Sequence, residues 1–276
     1  MPLQDRIESA VAAGDSADRS KALAAFVALR RALELGTIRA ASRDENDRWV
    51  VNDWVKAGIL LGFRLGSVAD LSVGAMSFFD KDTFPPRAFD ATDGVRIVPG
   101  GTAIRSGAYV ANTVVCMPPS YVNVGAYIGA GTMIDSHVLV GSCAQIGERV
   151  HLSTAVQIGG VLEPVGALPV IVEDDVFVGG GCGIYEGCIV GKEAVLAPGV
   201  ILTRSTSLID LVNERMIAPG PDGSLQVPQG AVVVPGSRPA SGSFAHNNRI
   251  ALYAPVIVKY RDASTSASTA LEQALR

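Results

Sequence analysis

Acid–base chemistry is concentrated in one short stretch of this chain, where Asp135 precedes His137 by two residues. A carboxylate or an imidazole beside an amine can accept its proton as the amine attacks a carbonyl, which is the work of a general base. The chain has 3 histidines, and the other two, His151 and His246, lie in no supporting motif. The stretch from Asp135 to His137 is therefore the first candidate for a catalytic site.

The elements that position this stretch follow from a repeat. An aliphatic residue or a cysteine stands at every sixth position, at Val98, Ile104, Val110, Cys116, Val122, Ile128, Ile134, Val140, Ile146, Leu152 and Ile158. A period of six fits neither a helix nor a simple strand, and it is typical of the hexapeptide repeat of a parallel β-helix. Three hexads make one triangular coil, and such helices are usually left-handed, an exception to the right-handed crossover rule. In this phase His137 faces outward.

The repeat breaks at 159–169 and resumes in a new phase at Val172, Val178, Ile184, Val190, Leu196 and Leu202. An insertion that leaves a regular prism is seldom needed for packing, and repeat proteins often bind ligands with such loops. We therefore expect residues 159–169 to have a functional role, with a silent loop as the alternative. A second interruption spans 209–226, and a final coil follows it.

The remaining segments do not repeat. Helical spacing covers 6–13 and 20–35, turn residues at 43–47 predict a hairpin, and Asn52 is placed as the N-cap of a helix that runs through Leu65. Residues 66–93 are expected to be irregular, 250–260 to form a capping strand and 264–276 a helix. The chain is thus predicted to be mainly β, with an N-terminal mostly helical α/β domain at 1–93, a left-handed parallel β-helix at 94–238, and a small C-terminal cap at 239–276.

Composition narrows the class of protein. The 276 residues carry a formal net charge of −4, so nothing predicts a broad nucleic-acid surface. No apolar stretch is long enough to cross a membrane, and the first residues lack the apolar region of a signal peptide. The 4 cysteines have no metal-binding spacing and are expected to be small buried hydrophobes in a reducing cytoplasm. We expect a cytoplasmic protein without a metal.

Several longer motifs carry a resemblance to a known family. They are Met-Pro-Pro-Ser-Tyr-Val-Asn-Val-Gly-Ala-Tyr at 117–127, Gly-Thr-Met-Ile-Asp at 131–135, Val-Gly-Ser-Cys-Ala-Gln-Ile-Gly at 140–147 and Ile-Gly-Gly-Val-Leu-Glu-Pro at 158–164. Together they resemble the tetrahydrodipicolinate N-succinyltransferases, with weaker similarity around Trp49–Arg64 and Tyr253–Lys259. The resemblance implies an acyl-CoA-dependent N-acyltransferase of lysine and diaminopimelate biosynthesis. It also implies a homotrimer whose active sites lie between subunits.

The resemblance also implies roles for particular residues. Asp135 matches an acceptor-site aspartate, and Arg96 matches an arginine that binds a carboxylate of the amino-acid acceptor. Acyl-CoA, either succinyl-CoA or acetyl-CoA, is expected to lie along the C-terminal coils, with contacts at Gly160, Gly180, Gly199 and Lys259. The structural alternatives are a corner-capping carboxylate for Asp135, a surface ion pair for Arg96 and simple corner geometry for the glycines.

Departures from the family pattern fall around the acceptor site. Ser136 and His137 replace the family's Thr-Trp, and Gly183 stands where the family has a second acidic residue, with Glu186 three positions later. His137 is therefore a candidate base, with a surface or subunit contact as its alternative. Two versions of the enzyme stay open: the lysine-pathway succinyltransferase, and a paralogue that acylates another amino acid in a tabtoxin-like specialised pathway.

Two other classes of protein share features of this sequence. A zinc lyase of the γ-carbonic-anhydrase type is also a trimeric β-helix, but it needs three histidine ligands, and His246 lies outside the repeats. A non-catalytic β-helix that only binds ligands is the other alternative, since Gly183 lacks the acidic group. The sequence favours the enzyme over both.

Overall fold

The computed structural model describes residues 1–261 of the chain. The helix predicted at 264–276 lies outside the described residues. Among the helices of the described part, none combines the length and apolar character that crossing a bilayer requires.

Three helices and a hairpin form the N-terminal part. Their bounds are α1 (Leu3–Ala12), α2 (Arg19–Glu34), β1 (Ala41–Arg43), β2 (Trp49–Val51) and α3 (Asp53–Leu65), with a 3-10 turn at Gly14–Ser16. The three helices bury one apolar face each, and Ile7, Phe26, Leu29 and Ile59 meet in a shared core. The three predicted helices are confirmed, and the predicted hairpin is confirmed because β1 and β2 pair antiparallel.

One prediction about this part is confirmed in position only, and another was partly wrong. Asn52 precedes α3 as expected, but its side chain makes no capping hydrogen bond; its Nδ2 instead donates to the carbonyl of Arg39 at 2.8 Å. The region 66–93 is not wholly irregular, because it contains an antiparallel pair, β3 (Val68–Asp70) and β4 (Phe79–Lys81), and a 3-10 turn at Ala91–Asp93. The Pro-Pro pair at 85–86 follows β4 and interrupts neither strand; strands of three residues are too short for their alternation to indicate them.

Short strands follow one another through the repeats. They are β5 (Arg96–Ile97), β6 (Ala103–Ile104), β7 (Tyr109–Val110), β8 (Val115–Cys116), β9 (Tyr121–Val122), β10 (Tyr127–Ile128), β11 (Met133–Ile134), β12 (Leu139–Val140), β13 (Gln145–Ile146), β14 (His151–Leu152), β15 (Gln157–Ile158), β16 (Ile171–Val172), β17 (Phe177–Val178), β18 (Gly183–Ile184), β19 (Cys188–Val190), β20 (Val195–Leu196) and β21 (Ile201–Leu202). Successive strands join three parallel sheets in turn. We name them the first sheet (from β5), the second sheet (from β6) and the third sheet (from β7).

The stacking interval of these coils is 18 residues, as the repeat predicts. Ile104 pairs with Val122, Val122 with Val140, and Val140 with Ile158. The interruption lengthens one interval, so that Ile158 pairs with Ile184. One predicted repeat position was wrong, because Ile97 and not Val98 pairs with Cys116. The turn that follows β5 is one residue longer than the later turns.

The last strands close one end of the coils. They are β22 (Leu208–Asp210), β23 (Arg215–Ile217), β24 (Leu225–Val227), β25 (Ala231–Val234), β26 (Ser237–Pro239), β27 (Ala251–Tyr253) and β28 (Val256–Tyr260), with α4 (Ser243–Asn247) between β26 and β27. The second interruption is the hairpin β22–β23. The single strand predicted at 250–260 is in fact two: β27 pairs with β26, whereas β28 pairs with β25.

Three corners join the sheets, and they organise the candidate site. The first corner lies between the first and second sheets and includes 135–137; the second corner lies between the second and third sheets and includes 141–143. Apolar side chains of all three sheets fill the interior, including Cys116, Cys182 and Cys188. Burial raises the pKa of the Cys116 thiol to about 11, as expected for a cysteine that behaves as a small hydrophobe.

Candidate active site

The first corner brings four of the predicted site residues onto one edge of the coils. Backbone hydrogen bonds run up this corner from Ala155 to Ser136 at 2.9 Å, from Gly181 to Thr154 at 2.9 Å and from Gly199 to Gly180 at 3.0 Å. Asp135 and His137 flank Ser136, so they share the corner with Gly180 and Gly199. A ligand that lay along this edge would meet all four.

Asp135 contacts a histidine that sequence reasoning had set aside. Its Oδ2 lies 3.1 Å from Nε2 of His151, and both side chains are part-exposed. β14 carries His151 directly beside Met133 of β11, two residues before Asp135. The 18-residue interval could have revealed this pair, since it places His151 one coil above Met133. The carboxylate and the imidazole form an acid–base pair at the edge of the first sheet.

Asp135 and His151 have different roles in this hydrogen bond. When Asp135 is ionised and His151 is neutral, Oδ2 of Asp135 can accept a hydrogen bond from Nε2–H of His151, and the ring then keeps an acceptor lone pair on Nδ1. A carboxylate that orients an imidazole in this way also stabilises the imidazolium formed when the ring takes a proton. The ring of Phe177 packs against His151 with centroids 5.1 Å apart, which limits the ring's rotation.

His137 is exposed at the first corner, as its repeat position predicts. It has a positive φ of 63°, a left-handed conformation that is uncommon for residues other than glycine. Its backbone carbonyl accepts a hydrogen bond from Nε2 of Gln157 at 3.3 Å. Within residues 1–261 its imidazole makes no hydrogen bond to Asp135; the ring that contacts Asp135 is that of His151.

Arg96 lies in the first strand of the first sheet and is exposed. It is in register with Val115, Met133 and His151, so three strand spacings of about 4.8 Å separate its backbone from that of His151. Both side chains belong to one outward row of the sheet. The structure does not bring Arg96 and Asp135 of the same chain into contact.

The residues predicted to contact the cofactor lie in two separate regions of the coils. Within residues 1–261, few atoms lie near Gly180 and Gly199: a Cβ on Gly180 would meet the carbonyl of Thr154 at 3.3 Å, and one on Gly199 would meet Pro235 at 3.9 Å. Their backbone is therefore open to a ligand. Lys259 lies in β28 at the same end of the first sheet, paired with Val232. Gly160, in contrast, follows β15 at the second corner.

The position of the missing acid is occupied by an aromatic ring. A Cβ on Gly183 would lie 2.6 Å from Cε2 of Tyr185 and 2.9 Å from its hydroxyl, so the Tyr185 side chain fills the space into which an acidic side chain at 183 would project. Glu186 is exposed at the second corner. The second sheet separates it from the Asp135–His151 pair of the same chain.

The 159–169 segment also belongs to the second corner. Lys56 of α3 is fully buried, and its Nζ donates to the carbonyls of Pro164 at 3.0 Å and Ala167 at 2.7 Å. Burial lowers the pKa of this ammonium group, since leaving water disfavours its charged form. Lys56 therefore ties the segment to the N-terminal helices. Among the described residues there is no group of three side chains suited to a metal ion.

Comparisons with known proteins agree with this architecture. The N-terminal family model of tetrahydrodipicolinate N-succinyltransferase matches residues 2–65, and a model of the hexapeptide repeat of succinyl-transferase matches 169–204. A 2,3,4,5-tetrahydropyridine-2,6-dicarboxylate N-succinyltransferase from Azoarcus sp. (strain BH72) is 46% identical over 252 residues, which are 88% of this chain and 86% of that protein. The same enzyme from Aromatoleum aromaticum is 42% identical and covers 99% of this chain and 97% of its own.

Solved structures give weaker similarities. A Campylobacter jejuni protein assigned as a tetrahydropyridine-carboxylate N-succinyltransferase is 15% identical with a TM-score of 0.43, over 91% of this chain and 63% of that one. A truncated serine acetyltransferase apoenzyme is 23% identical with a TM-score of 0.31, over 42% and 40%. The family is instead shown by the sequence relatives, whose identity of more than two residues in five extends through nearly the whole length of both chains. This chain belongs to the tetrahydrodipicolinate N-succinyltransferases, a family of acyltransferase enzymes.

Proposed function

We propose that this enzyme transfers the succinyl group of succinyl-CoA to the nitrogen of 2,3,4,5-tetrahydropyridine-2,6-dicarboxylate, as its relatives are named for doing. The observation that carries the proposal is the Asp135–His151 pair, an acid–base pair on an open corner of the coils. The relatives are named for the lysine-pathway reaction, and the comparisons do not favour the tabtoxin-like paralogue.

His151 serves as the general base in this proposal. The ring nitrogen of the acceptor is an imine without an N–H, so water first adds to its C=N bond and converts the nitrogen into an amine. The amine attacks the thioester carbonyl, a carbon–nitrogen bond forms, and the carbon–sulfur bond breaks to release CoA. Nδ1 of His151 takes the proton from the amine and passes it to the CoA sulfur, while Asp135 holds Nε2–H and stabilises the imidazolium in between. His137 stays the alternative base that its exposed position at the same corner allows.

Arg96 is proposed to bind a carboxylate of the acceptor, because its guanidinium offers a fork of donors that matches a carboxylate. CoA is proposed to run along the first corner towards β28. The bare backbones of Gly180 and Gly199 support this course, since they allow close approach to the pantetheine arm, and Lys259 is proposed to meet a phosphate. Gly160 fits this course less well, because it lies at another corner.

We further propose that the three sheets form a left-handed β-helix and that the chain works as a homotrimer with each active site between two subunits. The separation of Arg96 from Asp135 within one chain supports a shared site, since a neighbouring copy could supply the missing contacts. The division at residue 93 is supported by the core of the N-terminal helices, which is distinct from that of the coils, whereas Ile257, beyond residue 238, packs in the core of the coils. Four free cysteines support a reducing cytoplasmic location.

A direct assay tests the proposed function. Purified enzyme is mixed with tetrahydrodipicolinate and either succinyl-CoA or acetyl-CoA, and the acylated product is detected by mass spectrometry. We expect product with succinyl-CoA at a rate well above that with acetyl-CoA, and at least about a hundredfold less from Asp135→Asn. The proposed reaction is wrong if succinyl-CoA yields no product. Faster turnover of acetyl-CoA would overturn the proposal that succinyl-CoA is the acyl donor.

A further inference from the structure

A cavity lies away from the first corner, between the β1–β2 hairpin and the third sheet. Its volume is about 190 Å³, below the range of about 300–1,000 Å³ that holds drug-sized ligands, so its size suits a small metabolite. Its charged lining residues are Arg39, Arg43, Lys192, Glu148, Glu173 and Asp174. Three are cationic and three are anionic, which makes the lining balanced in charge.

Arg39 presents the most distinctive group of this cavity. Its guanidinium stacks on the Tyr127 ring, 3.7 Å from the centroid, and its Nε donates to Oε1 of the buried Gln145 at 2.8 Å. Within residues 1–261, neither Nη1 nor Nη2 donates a hydrogen bond. The stacking and the Nε bond hold the guanidinium in one orientation, and its outer pair of N–H donors is left for a ligand. A planar pair of donors matches a carboxylate.

The acidic residues of the cavity are not equivalent. Glu173 is already neutralised, because it accepts from Nε1 of Trp49 at 2.8 Å and pairs with Arg43. Asp174 uses only Oδ1, which accepts the backbone N–H of Glu148 at 2.8 Å. In the described part of the chain its Oδ2 accepts nothing. The cavity thus offers an available cationic fork and an available carboxylate oxygen, a combination that complements a zwitterion.

We propose that this cavity binds a free α-amino acid, with its carboxylate on the Nη atoms of Arg39 and its ammonium group on Asp174. The ligand would touch the N-terminal hairpin and the coils together, since Arg39 and Trp49 come from the N-terminal part and Gln145 and Asp174 from the repeats. Binding would stabilise the contact between the two parts by mass action. This site shares no residue with the proposed acyl-transfer site.

Calorimetric titration of the full-length protein tests the proposal, with glycine, L-alanine, L-lysine, L-glutamate and succinate as probes, each to about 10 mM so that dissociation constants near 1 mM are measurable. We expect at least one amino acid to bind and succinate, which has no ammonium group, not to bind. Arg39→Met and Asp174→Asn are each expected to weaken binding about tenfold or more, since each removes a charged hydrogen-bond partner. Asp135→Asn is the matched control and is expected to bind as tightly as the unaltered protein.

The outcomes separate this proposal from the proposed function. Absence of binding by every amino acid overturns it, as does equal binding of succinate. Binding that survives Arg39→Met but is lost in Asp135→Asn belongs to the acceptor site and also overturns it. If Arg39→Met does not fold, the result for Asp174→Asn alone decides the proposal. This variant is expected to fold, because the Oδ1 of an asparagine can still accept the hydrogen bond from the backbone N–H of Glu148. A failed transferase assay leaves these results unaffected.

Discussion

The first and second corners arise from the same hexapeptide repeat, yet one is open and the other is closed. At the first corner His137 is exposed, and the backbones of Gly180 and Gly199 are nearly uncovered. At the second corner Val124 and Cys143 are buried in the core of the N-terminal helices, and the 159–169 segment folds over the edge. The repeat builds both edges, but the nonrepeating segments determine which edge a ligand can reach.

The difference lies in the residues that each corner places outward. Apolar Val124 and Cys143 are stabilised when α3 covers them, because burial removes their surface from water. The first corner instead carries Asp135, Ser136 and His137, for which burial without partners would cost free energy. A corner that must stay accessible for chemistry therefore carries polar side chains, and a corner that joins two parts of the chain carries apolar ones.

The largest expected effect concerns the open corner. His151→Gln should lower kcat by about 10²- to 10⁴-fold, the usual contribution of a general base, whereas His137→Gln should lower it by less, because only His151 contacts Asp135. Steady-state kinetics with succinyl-CoA measure both. The reverse order of the two losses would move the base to His137.

A matched pair of glycine substitutions compares the two corners directly. A Cβ on Gly141 would lie 2.2 Å from the backbone nitrogen of Gly160. Gly141→Ala therefore pushes these two backbone segments apart and should lower the free energy of unfolding by about 1–3 kcal/mol. Gly180→Ala should change it by less than about 1 kcal/mol but raise the KM for the acyl-CoA. Urea unfolding and kinetics give both quantities; equal destabilisation by the two would contradict the open–closed distinction.

Lys56→Met tests what holds the second corner closed. The substitution leaves the carbonyls of Pro164 and Ala167 without their donor, and an unsatisfied buried acceptor costs about 1–3 kcal/mol. We expect a loss of about 2 kcal/mol in unfolding free energy, measured by urea denaturation, with faster proteolysis of the 159–169 segment. Unchanged proteolysis would show that Lys56 is not what anchors the segment.

The same variant has a pH signature. Burial lowers the pKa of Lys56 below 10.5, so between the two pKa values the unfolded chain binds more protons than the folded chain. The free energy of unfolding contributed by Lys56 therefore rises with pH across that window and is complete above 10.5. The stability difference between the unaltered protein and Lys56→Met should grow as pH approaches 10.5; a difference that shrinks would contradict the burial of a charged amine.

The smallest expected effect is that of Glu186→Gln. This side chain is exposed at the second corner, across the second sheet from Asp135, so we expect kcat/KM to stay within about threefold. A loss of about a hundredfold or more would show that Glu186 of a neighbouring copy reaches the first corner and replaces the acid missing at 183.

Much of the fold follows from local pattern. The six-residue period correctly predicted the strands from Ala103–Ile104 onward, their stacking interval and the interruption after Ile158, because each inward side chain must be apolar wherever it lies in the coil. The hairpin and helices near the N-terminus also followed from turn residues and helical spacing. The short pair at 68–81 did not, because strands of three residues show too little alternation. The two strands at 251–260 did not either, because the fold decides which earlier strand each one pairs with.

The sequence by itself determined that coils exist, which side chains face inward, and that His137 faces outward. Only the tertiary structure decided which residues meet: His151 beside Asp135, Tyr185 over Gly183, Lys56 beneath the 159–169 segment, and Arg39 on Tyr127. The physical reason is that periodicity reports the environment of one residue at a time, apolar or polar. A contact between two side chains depends instead on how coils stack and which segment covers them, and those distances arise only when the chain is folded.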